Sequence, residues 1–276
     1  MKFAGIIAEY DPFHNGHAWQ LAQAKALGAE RVAVAMSCSL VQRGALPLLP
    51  EAVRTRSALT CGADLVFALP APCACAGAEA FARAGVALLA AAGCDGLVFG
   101  AETPDAALLM ETAELLDSDS YRAALKAQLA GGARSFAAAR QAAAAQLASD
   151  ERVAALLDKP NNNNLAVEYC RAIRSLAPQM EAYPLPRQGA DHGEALHSAH
   201  GQFASASALR KLWVQVDLKN AKEMKELYQV RKNTRKYEYG QIKLGFDAVN
   251  KKKNFTPVKL GMPSRGWRAA AFCRSV

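Results

Sequence analysis

Short apolar segments alternate with helical patterns over the first hundred residues, and this alternation restricts the fold more than any other feature. Strand patterns cover residues 3–10, 31–37, 63–70 and 94–102, and helix patterns cover 17–28, 50–62 and 77–93. Nearly continuous apolar strands separated by helices indicate βαβ units, whose parallel sheet is covered by helices on both faces. We therefore predict an α/β fold with a doubly wound, Rossmann-like parallel sheet.

The pattern changes twice after residue 103. Residues 104–158 are rich in Ala and helical in spacing, which predicts a helical insertion. A polar turn then leads into a helix over 159–178, a fifth strand over 180–186 and a short helix over 203–213. Beyond Trp213 Ala becomes rare and Lys increases. We therefore predict an α/β domain at 1–213 and a basic tail at 214–276 that is truncated or partly disordered.

The positive charge of the chain is concentrated in this tail. The whole chain carries a formal charge of +8. Residues 214–276 hold 15 Lys and Arg against 5 Asp and Glu, which is +10, so residues 1–213 carry −2. A basic segment on a near-neutral body indicates either contact with nucleic acid or a solvated end, and both interpretations stay open here.

Cysteine usage and hydropathy predict a cytoplasmic protein with no membrane contact. The seven cysteines are odd in number, contain no Cys-x-x-Cys motif and lie mostly among apolar residues, which disfavours a disulfide framework. The first residues lack the pattern of a secretory signal peptide. No uninterrupted apolar run reaches the eighteen residues that a membrane span needs.

The turn after the first strand contains two histidines, His14 and His17, separated by Asn15 and Gly16. A helix that begins here presents unpaired N–H groups and the positive end of its dipole, and both favour phosphate. Residues three apart lie on one helix face, so both imidazoles can contact one anion. We predict that the pair stabilises charge on phosphate and binds no metal, because helical zinc pairs are usually four residues apart.

Several motifs in the chain resemble one family. His-Asn-Gly-His after an apolar strand resembles the His-x-Gly-His signature of the nucleotidyltransferase and class I synthetase superfamily. The longer string GIIAEYDPFHNGH is similar to the tRNA(Met) cytidine acetate ligase family. So are VQRG at 41–44, GADLVFALP at 62–70, LVFGAE at 97–102 and PNNNNLAVEY at 160–169. The similarity runs in order from residue 3 to about residue 212.

The resemblance implies an enzyme, an ATP-dependent ligase that modifies tRNA. Members of this family activate acetate as acetyl-adenylate and then acetylate N4 of the wobble cytidine of elongator tRNA(Met). ATP, with Mg²⁺ expected beside it, would be the cofactor, and acetate and tRNA would be the partners. The oligomeric state stays open.

The resemblance also implies a set of site residues, with His14 and His17 as the catalytic pair. The residues expected to bind ATP are Ile7, Ala8, Glu9, Tyr10, Asp11, Pro12, Phe13, His14, Asn15, Gly16, His17, Ala18, Trp19, Gln20, Gly100, Asn162, Asn163, Arg187 and Gln188. Further phosphate or substrate contacts are expected from Gln42, Arg43, Arg54, Ser205, Ser207 and Arg210.

Three positions differ from the family pattern: Asp11 replaces the usual Asn, Cys38 replaces a Gly, and Glu51 stands near a usual Lys. These changes keep two alternatives open. One is a different nucleotidyltransferase that acts on a phosphorylated small molecule. The other is a degenerate member that binds RNA or nucleotide without turnover.

Overall fold

The computed structural model describes residues 1–41, 44–157, 162–187, 206–207 and 209–210, together with the backbone of 271–273. The strands are β1 (Phe3–Ala8), β2 (Arg31–Ser37), β3 (Leu65–Leu69), β4 (Gly96–Ala101), β5 (Glu181–Pro186) and β6 (Ala271–Cys273). The helices are α1 (Asn15–Ala26), α2 (Glu51–Thr60), α3 (Ala71–Ala74), α4 (Ala78–Ala91), α5 (Ala106–Asp117), α6 (Asp119–Ala130), α7 (Phe136–Leu147), α8 (Glu151–Leu156) and α9 (Asn162–Leu176).

The strands form one sheet in the order β5-β4-β1-β2-β3-β6. The pairs β1·β4, β4·β5 and β2·β3 are parallel, and β6 is antiparallel to β3. Helices follow β1 to β4 along the chain, and the strand order reverses at β1, as in doubly wound sheets. The predicted α/β fold with its Rossmann-like parallel sheet is therefore confirmed.

The chain divides into two compact units. The first contains residues 1–7, 28–30 and 76–187 and includes β4, β5 and α4 to α9. Its helix α4 lies very close to β1, because a Cβ added at Gly85 would stand 2.5 Å from Cδ1 of Ile7. Only glycine, which lacks that atom, permits this approach without a shift of Ile7.

Helices α5 to α8 occupy the Ala-rich segment, where a helical insertion was predicted. Ala has the highest helix propensity, but Ala-rich segments need signals that separate one helix from the next. Capping residues supply them: Asp105, Ser118, Ser135 and Asp150 each accept a hydrogen bond from a main-chain N–H of the following first turn. Local sequence thus accounts for the division of this segment into four helices.

The described part of the second unit contains residues 8–27, 31–41, 44–75, 206–207 and 209–210, together with β6. Strand β2 is buried along nearly its whole length, and β3 pairs with it in register from Ala33↔Leu65 to Ser37↔Leu69. Helices α1 and α2 follow β1 and β2 in this unit. In the described ranges, no helix is both long enough and apolar enough to cross a membrane.

The proposed boundary near Trp213 stays a prediction, because residues 211–270 lie outside the described part of the chain. Strand β6, however, belongs to the segment that was predicted as a tail. Its pairing joins Leu65 to Cys273 and Phe67 to Ala271.

Candidate functional site

The turn that joins β1 to α1 has a tightly determined shape. Tyr10 adopts a left-handed backbone with φ of 51°, which is uncommon for a residue with a bulky side chain. Its ring is fully buried and packs edge-on against Phe13, with ring centroids 4.8 Å apart. This aromatic packing stabilises the turn, which places His14 at the N-cap of α1.

His14 and His17 cap α1 together. His14 is the N-cap residue, and its Nδ1 accepts a hydrogen bond from the Gly16 N–H at 3.0 Å. The His14 N–H in turn donates to Nδ1 of His17 at 3.3 Å. This reciprocal arrangement is a capping box in which imidazoles take the places usually held by Ser or Thr and Glu.

The capping box determines where each imidazole carries its hydrogen. Because both Nδ1 atoms accept main-chain hydrogen bonds, the neutral rings carry hydrogen on Nε2. The two rings are stacked, with centroids 3.8 Å apart and planes inclined by 25°. The stacked pair therefore sits at the positive end of α1 with its Nε2–H groups as donors, an arrangement suited to an anion.

Aromatic neighbours keep His17 neutral. Tyr10 and Phe13 lie 4.8 Å and 5.6 Å from the His17 ring, measured between centroids. Burial lowers the pKa of His17 well below its ordinary value, and the adjacent His14 lowers it further. At neutral pH His17 is therefore uncharged, and its Nε2–H is an oriented hydrogen-bond donor.

Arg54 of α2 joins the segments that surround this turn. Its side chain is fully buried. Nε donates to the Leu49 carbonyl at 3.0 Å, and Nη1 donates to the carbonyls of Glu9 and Ser37 at 2.6 Å each. Nη2 donates to the Cys38 carbonyl. Every guanidinium nitrogen thus donates to at least one main-chain carbonyl. The phosphate contact expected of Arg54 stays an untested prediction.

Asp11 is buried beside the histidine turn, with 4% of its surface exposed. Its Oδ1 accepts from the Leu48 N–H at 2.6 Å. Nη1 of Arg210 donates to the main-chain carbonyl of Asp11 and lies 3.5 Å from Oδ2 of its carboxylate. The arginine that was expected to contact phosphate is thus paired with a carboxylate.

A second polar cluster follows the end of β4 in the other unit. Glu102 accepts from Nδ2 of Asn162 at 2.9 Å, from the N–H of Asn163 at 3.0 Å and from Nη1 of Arg187 at 3.3 Å. Asn163 also accepts from the N–H of Thr103 at 3.0 Å. Three residues that were predicted to bind ATP are thereby gathered around one carboxylate.

Charge and hydrogen bonding hold Glu102 ionised. Burial raises the pKa of Glu102, but main-chain hydrogen bonds at the start of α9 and the Arg187 guanidinium outweigh that effect, so the pKa is lowered. Gly100 lies beside the same arginine, because a Cβ added there would contact Cγ of Arg187 at 3.7 Å. The cluster presents amide and guanidinium donors around a fixed negative charge.

Several predicted site residues belong to neither of these two clusters. Ile7 is directed at α4, where it fills the space beside Gly85. Trp19 and Gln20 are half-buried on α1, and Ser207 is half-buried in a helical turn with Arg210. Gln42, Arg43, Gln188 and Ser205 lie outside the described residues.

Sequence reasoning missed Glu102 and Thr103 as site residues. Both follow β4 directly, and polar residues just beyond the carboxyl end of a parallel strand are placed where such sheets bind ligands. Glu102 stood inside the quoted motif LVFGAE, so position in the fold was the available signal. No group of three or more His, Cys, Asp or Glu side chains in the described ranges could hold a metal ion.

A doubly wound α/β sheet whose first helix opens with His-x-Gly-His is the arrangement that the resemblance to the nucleotidyltransferase and class I synthetase superfamily implied. The family model described as HIGH Nucleotidyl Transferase matches residues 1–259. The chain belongs to this family, and the predicted resemblance is confirmed.

Relatives with assigned names are similar over about three quarters of the chain. The tRNA(Met) cytidine acetate ligase of Syntrophotalea carbinolica is 41% identical over 214 residues, which cover 76% of this chain and 50% of that protein. The enzyme of the same name from Acetivibrio thermocellus is 36% identical over 215 residues, covering 76% and 51%. The chain thus spans about half the length of these curated relatives.

Two solved structures share the fold. Thermotoga maritima TmcAL in an apo form has a TM-score of 0.75 at 30% identity, covering 90% of this chain and 57% of that one. The same protein bound with alpha-thio ATP has a TM-score of 0.73 at 28% identity, covering 90% and 56%.

We predict that Arg54→Met destabilises the protein by at least about 3 kcal/mol, because four main-chain carbonyls lose a buried donor. Arg54→Lys should recover little of this loss, since one ammonium group cannot reproduce the guanidinium fork. The free energy of unfolding in urea measures both effects.

The matched control for this prediction is Arg56→Met on the same helix, where the side chain is exposed. Its cost should stay within about 0.5 kcal/mol. A loss below about 1 kcal/mol for Arg54→Met would mean that the carbonyls find water or other donors, and that Arg54 does not hold these segments together.

We also predict that acid weakens the protein through His17. Because its pKa is lower in the folded chain than the ordinary value of 6.5, the unfolded chain binds the proton first as pH falls. The stabilisation is therefore complete above about pH 6.5 and is lost as the pH falls towards the folded-state pKa. Urea unfolding between pH 7.5 and 5 measures this slope.

His17→Gln, whose amide oxygen can still accept from the His14 N–H, should make this slope shallower. Identical pH profiles for the two proteins would show that His17 does not carry a lowered pKa.

Proposed function

We propose that this chain activates acetate with ATP to form acetyl-adenylate, and that the acetyl group then passes to N4 of the wobble cytidine of elongator tRNA(Met). The observation that carries the proposal is the stacked histidine pair at the N-terminus of α1, with both Nδ1 atoms tied to main chain. The names of the relatives and the alpha-thio ATP bound in one neighbour support the choice of substrates.

The histidine pair suits adenylyl transfer. A carboxylate oxygen of acetate attacks the α-phosphorus of ATP, a P–O bond forms, and the bond to pyrophosphate breaks. Negative charge increases on the phosphate oxygens as pyrophosphate departs. Fixed N–H donors at the N-terminus of α1 stabilise that charge without having to reorganise, and the step requires no covalent enzyme intermediate.

The two residues have a shared role in this step. Because its pKa is lowered, His17 remains a neutral donor, and its stacked partner His14 is oriented by the Gly16 N–H.

The cluster around Glu102 is proposed to contact a nucleotide through Gly100, Asn162, Asn163 and Arg187. It begins at the carboxyl end of β4, and parallel sheets bind ligands beyond such ends. Glu102 accepts from the side-chain amide of Asn162, the main-chain N–H of Asn163 and the guanidinium of Arg187, and so positions these groups before a ligand arrives. Mg²⁺ would enter bound to the ATP phosphates and water, and would neutralise charge on the leaving pyrophosphate.

The second half of the reaction transfers the acetyl group. The N4 amine of cytidine attacks the acetyl carbonyl carbon, the C–O bond to AMP breaks, and the amine releases a proton. The released proton passes to solvent water. The basic segment 214–276 is proposed to contact tRNA phosphates, and binding should then weaken steeply with added salt.

We predict that acetate-dependent exchange of labelled pyrophosphate into ATP falls by at least about a hundredfold in a His14→Asn, His17→Gln double variant. The reason is the loss of the donors on the phosphate, each of which can contribute a factor of about 10² or more. Both substitutions retain a side-chain oxygen that can cap α1, so the helix start is preserved.

Gln23→Ala, further along α1, is the control and should exchange pyrophosphate at the wild-type rate. Exchange that persists in the double variant would remove the histidines from the mechanism. Folded wild-type protein that exchanges nothing with acetate or other short acids would overturn the proposed activity and favour a binding function. A dinucleotide formed without tRNA would favour a nucleotidyltransferase acting on a phosphorylated small molecule.

We further predict that Glu102→Gln weakens ATP binding severalfold, because its amide group cannot accept all three hydrogen bonds that now orient Asn162, Asn163 and Arg187. Isothermal titration calorimetry with ATP measures the change. Glu114→Gln on α5 removes the same charge from an exposed ion pair with Arg174 and should leave the affinity unchanged. Equal affinities in all three proteins would show that the cluster has no part in binding.

A further inference from the structure

The carboxylate of Asp11 lies between a main-chain donor and an arginine at the histidine turn. One oxygen accepts from the Leu48 N–H at 2.6 Å, and the other lies 3.5 Å from Nη1 of Arg210. The carboxylate is almost fully buried, whereas the Arg210 side chain is 26% exposed. The negative charge is therefore fixed in place, and the positive charge is the partner that retains access to solvent.

Arg210 makes two separate contacts with the same residue. Besides facing the carboxylate, its Nη1 donates to the main-chain carbonyl of Asp11. The carbonyl contact depends only on backbone position, so it remains if the carboxylate is replaced by an amide. The contact with the carboxylate oxygen is the part that partly cancels the charge of Arg210.

Because of this geometry, the charge of the Asp11 side chain can be removed without changing its size or shape. An Asn at position 11 has the size of Asp and offers an amide oxygen to the Leu48 N–H. The replacement would remove one negative charge from the turn while leaving an acceptor for Leu48 and the carbonyl for Arg210. A change in anion binding that leaves adenosine binding unchanged would then report the charge.

We propose that Asp11 sets the affinity of this turn for polyphosphate: its carboxylate holds Arg210 and partly neutralises it, so an incoming polyphosphate competes with Asp11 for that arginine. This inference rests on the proposed function, because it takes the β1–α1 turn as the place where ATP phosphates bind. It assigns Asp11 as a positioning residue and Arg210 as the group that it restrains.

The consequence depends on the charge of the ligand. A ligand with several negative charges gains when the carboxylate is removed, because Arg210 is released and a repulsive charge disappears. Adenosine has no phosphate and gains nothing. At the effective dielectric of a partly exposed site, one such charge changes polyphosphate affinity about three- to tenfold.

The test is a double-variant cycle on the intact chain, with wild type, Asp11→Asn, Arg210→Gln and the two combined. Isothermal titration calorimetry gives the dissociation constants for ATP, inorganic tripolyphosphate and adenosine, and thermal unfolding verifies that each variant is folded. We expect Asp11→Asn to bind ATP and tripolyphosphate about three- to tenfold more tightly, with adenosine unchanged. In the Arg210→Gln background most of that gain should disappear.

Three results would overturn the inference. The first is that Asp11→Asn binds polyphosphate with equal or weaker affinity, which would mean that the carboxylate presents Arg210 to the ligand. The second is an equal gain with Arg210→Gln, which would indicate general repulsion without a role for the arginine. The third is an equal gain for adenosine, which would indicate a change of shape.

Failure of this inference can be told apart from failure of the proposed function. If the wild-type protein binds ATP but exchanges no pyrophosphate in the presence of acetate, the proposed function is wrong and the double-variant cycle still tests the inference. If wild type and Asp11→Asn bind ATP and tripolyphosphate with equal affinity, the inference is wrong and the proposed function stands. Protein that binds neither ATP nor tripolyphosphate overturns both.

Discussion

The guanidinium of Arg54 is the interaction on which the histidine turn depends. It is fully buried and donates to the carbonyls of Glu9, Ser37, Cys38 and Leu49, which belong to three different segments of the chain. These carbonyls lie at the ends of β1 and β2 and just before α2, and a single cation with five donors satisfies groups that would otherwise be costly to bury. One of these carbonyls belongs to Glu9, which directly follows β1 and begins the turn that carries His14 and His17.

The two polar clusters follow a common principle, since in each an ionised or oriented group is held before any ligand arrives. In one, main-chain hydrogen bonds orient two imidazoles, and aromatic burial keeps His17 neutral. In the other, Glu102 holds the Asn162 side chain, the Asn163 main chain and the Arg187 guanidinium by hydrogen bonds. Donors that are already oriented need not reorganise when charge develops on a phosphate, and that is the main requirement of adenylyl transfer.

Periodicity and motif spacing predicted the doubly wound sheet, five of its strands and the helix that opens with His14, because these features depend on local pattern. They did not predict α3, a four-residue helix too short for periodicity, or β6, whose pairing with β3 joins residues about two hundred positions apart. The role of Arg54 was also missed, because its partners are main-chain atoms that only the folded chain brings together. The positions of Asp11 beside Arg210 and of Glu102 beside Asn162 depend on long-range contacts in the same way.

The central claim, that acetate attacks the α-phosphorus of ATP on this protein, is tested most directly with acetate labelled with oxygen-18 on both oxygens. The protein is incubated with this acetate, ATP and tRNA, and the masses of the nucleotide products are measured by mass spectrometry. The account predicts AMP that carries one oxygen-18 for each acetyl group transferred, because the attacking oxygen stays with phosphorus when the acetyl C–O bond breaks. Unlabelled AMP, or ADP as the product, would contradict it.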